Sequence, residues 1–401
     1  MKVFRINFLK FILGSFELFY FFPILLISIF SRFCYRRFDI GLGPIPMINN
    51  VYHKRALEGF GYRVETFVSK LFFITDRFDK KFVYKNNILH SLLIRVLHVD
   101  YLYSIFNHRC LYLYFNGGCL QSSIILWRFE PFLLGIAGIK TVVMPYGGDI
   151  SKMDRTPNLL YKHTLALDYP GYKFRNNRIE YQIDLWSKHA DHVIGGCDWV
   201  DYMHHWDTLM IAHFSIDLKQ KKKDVFKYPK NGKRFRVLHA PNHRNIKGSS
   251  FIIDAIEELQ KEGENIELKL LERVSNDEVL KEIEKADLVI DQLVIGWYAM
   301  FTLEALSLGT PVVCYLRDDL LELYKNSKLL KEYDPPIYSS KPREILSDLR
   351  SLIHDQKQLE ELSMRGPKYV KENHSIEYVG SVFHEINSCI GLKPVGRKSR
   401  N

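Results

Sequence analysis

The sequence predicts an α/β protein of two doubly wound domains, with a hydrophobic segment ahead of them. Three observations carry this. At 401 residues and 47% hydrophobic, the chain exceeds what one typical core holds. In both halves, short apolar strands alternate with polar stretches of helix length, the pattern of parallel sheets crossed by helices. Residues 286–316, ADLVIDQLVIGWYAMFTLEALSLGTPVVCYL, condense a complete strand-loop-helix-strand unit.

The formal charge of +10 suits nucleic acid, an anionic membrane or an anionic substrate. No helix-turn-helix, zinc-finger or RNP signature accompanies it, so nucleic acid is set aside as a partner. The six cysteines form no C-x-x-C pair or zinc spacing and read as reduced thiols, most of them buried.

Residues 11–31, FILGSFELFYFFPILLISIFS, are apolar all round except for Glu17. That length just reaches across a bilayer. Pro23 and Glu17 argue against a straight span, and basic residues on both flanks leave orientation unread. Three readings stay open: a spanning anchor, a re-entrant or interfacial anchor, and a buried hydrophobic helix. Residues 1–35 as a membrane anchor is the favoured expectation. No small-residue cleavage site follows, which argues against a signal peptide.

Arg36 to Gly43 reads as the first strand of the soluble part, followed by a Gly43-Pro44-Ile45-Pro46 loop, a helix from Val51 to Phe60 and a strand from Tyr62 to Val68. Such a loop stands at the carboxyl edge of a sheet, where open α/β folds bind ligands. Residues 70–108 show no clean periodicity. Cys110 to Phe115 is a strand ending in Asn116-Gly117-Gly118, and Lys140 to Tyr146 a strand ending in Gly147-Gly148-Asp149. That second ending is either a ligand-facing turn or one whose Asp satisfies its own backbone. Ile183 to Ala190 reads as helix, and His192 to Gly196 as strand. His204, His205 and Asp207 are not read as a metal site, because adjacent histidines on a helix diverge. Residues 218–234 are Lys-rich and read as a linker, able to lie on anionic headgroups.

The second domain opens with FRVLHAP, then NHRNIKG, then a helix from Ser250 to Glu262. His239, Arg244, Lys247 and Gly248 stand out. Arg and Lys three apart in a glycine-containing loop after a strand suit a diphosphate, the first by bidentate hydrogen bonds and the second as a point charge. Strands at 267–274 and 287–293 follow. A helix from Phe301 to Leu308 is then closed by Gly309 and Pro311, and Val312 to Leu316 is again strand. The unpaired first N–H groups of the helix at 301 form an anion site, with Glu304 expected in the first turn. The alternative role for Glu304 is to complement the helix dipole. After two polar helices in 341–369, HSIEYVGSVFHEI forms a last amphipathic helix.

The order E-A-L-x-x-G-T-P-V-V after A-D-L-V-I resembles the donor-binding block of the retaining GT-B glycosyltransferases of family four. The resemblance runs from about residue 38 to 390 and is strongest over 235–316. It implies two Rossmann-like domains facing a cleft: 36–217 for the acceptor and 235–374 for the donor, joined by the 218–234 linker. A helix at 375–392 would cross back, followed by a basic tail at 393–401. It implies transfer, with retention, of a sugar from a nucleotide diphosphate sugar to a glycan or lipid-linked acceptor, as in cell-surface polysaccharide or lipopolysaccharide biosynthesis. The setting would be the cytoplasmic face of the membrane. Glu304, Lys247 and Arg244 would be the catalytic set. His239, Gly248, Gly296, Trp297, Tyr298 and Phe301 would bind the donor, and Gly43, Asn116, Gly148 and Asp149 would line the acceptor side. The chain has no D-x-D, and the resemblance implies neither metal nor cofactor. Two departures are plain: Gly296 stands where the family has a second Glu, and no His occupies the usual place near Asn116. A nucleotide-sugar epimerase and a catalytically inactive scaffold of the same fold are the alternatives.

Overall fold

The computed structural model describes residues 2–72, 74–82, 96–218, 228–229, 233–330 and 334–395, with side chains described from Phe11 onward. Two parallel sheets organise the chain. The first has strands β1 (Phe38–Leu42), β2 (Val64–Val68), β3 (Lys80–Lys81), β4 (His108–Tyr114), β5 (Lys140–Met144), β6 (His192–Gly195) and β7 (Thr208–Leu209), in the order β3-β2-β1-β4-β5-β6-β7. The second has β8 (Phe235–His239), β9 (Ile266–Leu270), β10 (Leu288–Ile290) and β11 (Val312–Val313), in the order β11-β10-β8-β9. Every neighbouring pair is parallel. Parallel strands need crossovers, and covering helices bury both faces, which is why β2 and β4 are almost wholly inaccessible.

In each sheet the strand order reverses at one point, between β1 and β4 in the first and between β8 and β10 in the second. The loops leaving these strands border the crevices where doubly wound sheets take ligands. Loops from the two sheets meet: Asn158 Nδ2 donates to the Val294 carbonyl at 2.7 Å, and the Ile246 N–H donates to Asp168 Oδ2 at 3.0 Å. The helix Ile376–Cys389 returns to the first domain and packs against the helix Asn49–Gly59. There Tyr112 Oη donates to Asn387 Oδ1 at 3.0 Å.

Several elements differ in extent from the sequence reading. The expected strand 287–293 is only Leu288–Ile290, because the Asp291 side chain turns to Lys247 and the backbone beyond it leaves the ladder. The helix expected from Ile183 starts at Asn176, since Ile179, Ile183 and Trp186 form one buried stripe. Of the Lys-rich linker, Lys219, Lys221, Lys222, Lys223, Lys227 and Lys230 lie outside the described residues, as does the tail from 396.

The first helix, Lys2–Ser31, continues through Pro23. Its inner side packs on the first domain, with Ile24 fully buried and Ser28 Oγ 2.9 Å from Tyr101 Oη. Its outer side leaves Phe11, Phe19, Phe22, Leu26 and Phe30 exposed. Glu17 is the surprise. Its carboxylate accepts the N–H groups of Ile124 (2.9 Å), Ile125 (2.6 Å) and Leu126 (3.3 Å), at the start of the short turn Leu126–Arg128. The acidic residue that weakens a spanning helix here adds a charged anchor between helix and domain.

Candidate active site

Asp291 directly follows β10 at the switch point of the second sheet, and sequence reasoning missed it. Its carboxylate is buried and gathers three groups: the Lys247 ammonium at 2.7 Å, the Thr302 hydroxyl at 2.8 Å and the Ala299 N–H at 3.1 Å. Burial acts to raise its pKa, but Lys247 and the two neutral donors outweigh it, so Asp291 sits below the ordinary carboxylate value. The Ala299 N–H belongs to the entrance of the helix Met300–Ser307. The end expected to receive only a ligand's diphosphate is therefore already partly occupied by the chain's own carboxylate. Lys247 keeps two of its three ammonium donors after the bond to Asp291. Its side chain retains some exposure, at 15%.

Glu304 lies in the second turn, not the first, because the helix starts at Met300. Its carboxyl is buried and accepts from Asn276 Nδ2 at 2.7 Å. Burial, reinforced by the Asp291 charge and opposed by Asn276, moves its pKa up to about 7. Set in the second turn and bonded to Asn276, it lies beyond the first turn, where the helix dipole acts. Asn276 also lines a cavity of about 360 Å³ between the domains, shared with Tyr52 and Arg55 of the first.

The other donor-side residues divide. Arg244 and Lys247 share a one-turn helix, Arg244–Lys247, rather than a loop, and Arg244 points away to Glu272 in a bidentate pair at 2.8 and 2.7 Å. His239 is a strut. Its Nδ1 donates to the Ile290 carbonyl at 2.7 Å, which leaves Nε2 to accept from Ser249 Oγ at 2.8 Å. Burial lowers its pKa to about 4, so it is neutral, and neither ring nitrogen is left for a donor. Gly248 takes φ +74° as the cap between two helices, with Leu293 and Val294 against it. Trp297 and Tyr298 are core residues: Trp297 packs between Tyr298 and Tyr324, and Tyr298 Oη meets Tyr369 Oη at 2.7 Å and His374 Nε2 at 2.8 Å. Phe301 is partly buried at the start of its helix. Gly296 has φ +101°, and a Cβ there would lie 2.5 Å from Arg317 Cγ. Arg317 in turn bridges to Asp201 of the first domain at 2.5 Å and to Asp319 at 2.5 Å. An interdomain arginine fills the space beside Gly296.

On the first-domain side, Gly43 and Asn116 follow β1 and β4 at the switch point. Gly43 packs against the Phe67 carbonyl, where a Cβ would not fit. Asn116 donates to Tyr146 Oη at 2.7 Å and its carbonyl accepts from Gln182. The Gly148 carbonyl accepts from Tyr172 Oη at 3.1 Å. Asp149 is fully buried and accepts the N–H groups of Phe115, Tyr146 and Gly147, each at 3.0 Å. It ties the loops after β4 and β5 together by accepting their backbone N–H groups. Asp198, after β6, is a second carboxyl that sequence reasoning missed. Burial, then the Asp201 charge, raises its pKa to about 7, against the pull of Arg317 and Lys247. Asn49 buries both amide atoms without a partner just beyond the Gly43 loop.

No protein-family model and no curated protein matches the chain. Solved structures do resemble it. A sucrose-phosphate synthase from Thermosynechococcus elongatus aligns with TM-score 0.58 and 12% identity over 88% of this chain and 98% of that one. HepE from Anabaena, in complex with UDP, aligns with TM-score 0.55 and 12% identity over 88% of this chain and 100% of that one. An alpha-glucosyltransferase in complex with UDP and a mismatched DNA aligns with TM-score 0.57 and 12% identity over 88% and 100%. At that identity the likeness is one of architecture, and the architecture is the GT-B glycosyltransferase fold.

Proposed function

We propose that this chain is a membrane-associated glycosyltransferase that moves a sugar from a nucleotide diphosphate sugar to a glycan or lipid-linked acceptor, with retention. The observation that carries it is Lys247: a cation at the switch-point crevice of the second sheet, sharing Asp291 with the entrance of the helix Met300–Ser307, which carries the buried Glu304. Solved structures of like fold hold UDP or UDP-glucose. In this reading the diphosphate meets the two spare donors of Lys247, and Glu304 receives the ribose hydroxyls, with the nucleoside towards the cavity beside Asn276. Departure of the diphosphate needs positioning and charge stabilisation more than a protein nucleophile, so no metal is required.

Membrane attachment rests on the apolar outer side of the first helix. The cytoplasmic face and a role in cell-surface glycan assembly follow from the same reading, and they favour glycan or lipid acceptors over nucleic acid. A catalytically inactive scaffold is the second reading, favoured by Gly296 and by Arg244 being engaged with Glu272. Calorimetry with UDP and GDP, followed by sugar transfer or hydrolysis of the cognate donor with and without EDTA, tests both. Nucleotide binding with EDTA-resistant turnover is expected. Binding without turnover on any acceptor supports the scaffold, and no nucleotide binding overturns both readings.

A further inference from the structure

A cavity of about 550 Å³ touches the first helix and lies against the loops after β1 and β4, away from Lys247 and Glu304. Its apolar end is built around the first helix and the switch-point loops. Leu13, Phe16 and Glu17 belong to the first helix, Pro44 and Ile45 to the loop after β1, and Asn116 to the loop after β4. The switch-point crevice of the first domain is therefore continuous with the apolar helix. Phe16 is 40% exposed, and the neighbouring outer side carries Phe11 and Phe19 into solvent.

The rest of the lining carries cations and one carboxyl, Asp100, which accepts from Ser69 Oγ and the Tyr101 N–H. Arg175 and Arg178 line the cavity, and Arg128 stands close enough for its charge, after burial, to help lower the Arg178 pKa. Among the described residues none of the three has a carboxylate within ion-pair distance, whereas twelve or more other cations on the chain do. Aromatic rings hold them: Arg178 lies 4.5 Å from the Trp127 ring centre, Arg128 is 4.4 Å from the same ring, and Arg175 is 5.2 Å from that of Tyr172. Arg178 otherwise donates to the Gln121 carbonyl at 2.5 Å, and Arg175 to that of Gly148 at 3.5 Å. Like charges gathered with no carboxylate in ion-pair range repel until an anion joins them, and guanidinium forks match phosphate oxygens.

The two halves of this wall suit one molecule. Resting on the reading of the chain as a glycosyltransferase, we propose that the cavity binds a lipid phosphate acceptor, with Arg175 and Arg178 on its phosphate and its hydrocarbon chain leaving along Leu13 and Phe16 into the bilayer. Docking of the first helix by Glu17 fixes that exit, because the helix cannot leave the domain without stripping the carboxylate of its donors. The phosphate then sits beside Asn116, at the crevice that faces the donor sheet.

Flotation of the full chain tests this with phosphatidylcholine vesicles containing a long-chain prenyl phosphate, against vesicles of equal charge made with phosphatidylglycerol, and against inorganic phosphate as competitor. At least tenfold tighter binding to the prenyl phosphate vesicles is expected, with free phosphate competing weakly. The double substitution Arg175→Gln, Arg178→Gln should abolish that preference and leave binding to plain vesicles and to UDP unchanged. If the double variant melts early, Arg178→Lys and Arg175→Lys separately should each lose part of the preference. Equal binding to both anionic vesicles, complete displacement by free phosphate, or a preference that survives the substitutions would overturn the assignment. Loss of UDP binding in the parent chain would instead sink the glycosyltransferase reading and leave the lipid phosphate result standing.

Discussion

Lys247 Nζ lies 2.7 Å from Asp291 Oδ1, a pair 44 residues apart in sequence that closes the switch point of the second sheet. The lysine assigned to a ligand thus also neutralises a buried carboxylate, and this changes what its removal does. Lys247→Ala should lower nucleotide affinity by about 10- to 100-fold through the lost charge-assisted contact. It should also destabilise the fold by roughly 3 kcal/mol, because Asp291 is left buried and unpaired. Adding Asp291→Asn should recover most of the stability and none of the affinity. Recovery of both by the double variant, measured by melting and calorimetry, would place the phosphates elsewhere.

Glu304 should give the unliganded protein a pH signature. Its folded value, about 7, lies above its ordinary 4.5, so the native state holds a proton that the unfolded chain releases. The stabilisation is therefore full below about pH 4.5 and is lost as pH rises to about 7. Asp149 and Asp198 titrate in the same window, so the readout is the difference in melting temperature between parent and Glu304→Gln across pH 4 to 8. Gln can still accept from Asn276 and removes the slope. Parallel curves would show that Glu304 is ionised throughout.

The role of Glu304 in turnover separates from its role in packing. Glu304→Ala should cost roughly 1.5–3 kcal/mol in kcat/KM if the carboxyl receives ribose hydroxyls. A variant that binds and turns over within about twofold of the parent would remove it from the site.

Placing a carboxylate at Gly296 should fail. Gly296→Glu places a side chain at φ +101° and pushes its Cβ to 2.5 Å from Arg317 Cγ. The left-handed backbone alone costs about 1–2 kcal/mol. The displaced Arg317 also loosens its bridge to Asp201. Lower melting with no gain in turnover is expected, and a faster, equally stable enzyme would contradict the packing argument.

Glu17→Ala should free the first helix. It removes an ionic acceptor from the N–H groups of Ile124, Ile125 and Leu126, worth roughly 1.5–3 kcal/mol. Limited proteolysis should then cut between the helix and β1 much faster than in the parent, while the nucleotide affinity stays unchanged. Equal protection would show that apolar packing around Ile24 suffices.

What the sequence by itself determined is whatever repeats locally. Alternating strands and helices, the stop at Gly309 and Pro311, and the positions of Lys247 and Gly296 after their strands needed no partner to be read. Periodicity records which side of an element is buried, but not what that side meets. Only the tertiary structure decided that Asp291 occupies the helix entrance, that Arg244 turns to Glu272, that His239 braces β8 to β10, and that Arg317 fills the space beside Gly296. Glu17 shows the reason most plainly. In sequence it is a charge interrupting an apolar run, and its meaning depends on backbone donors 107 residues away, brought to it by the fold.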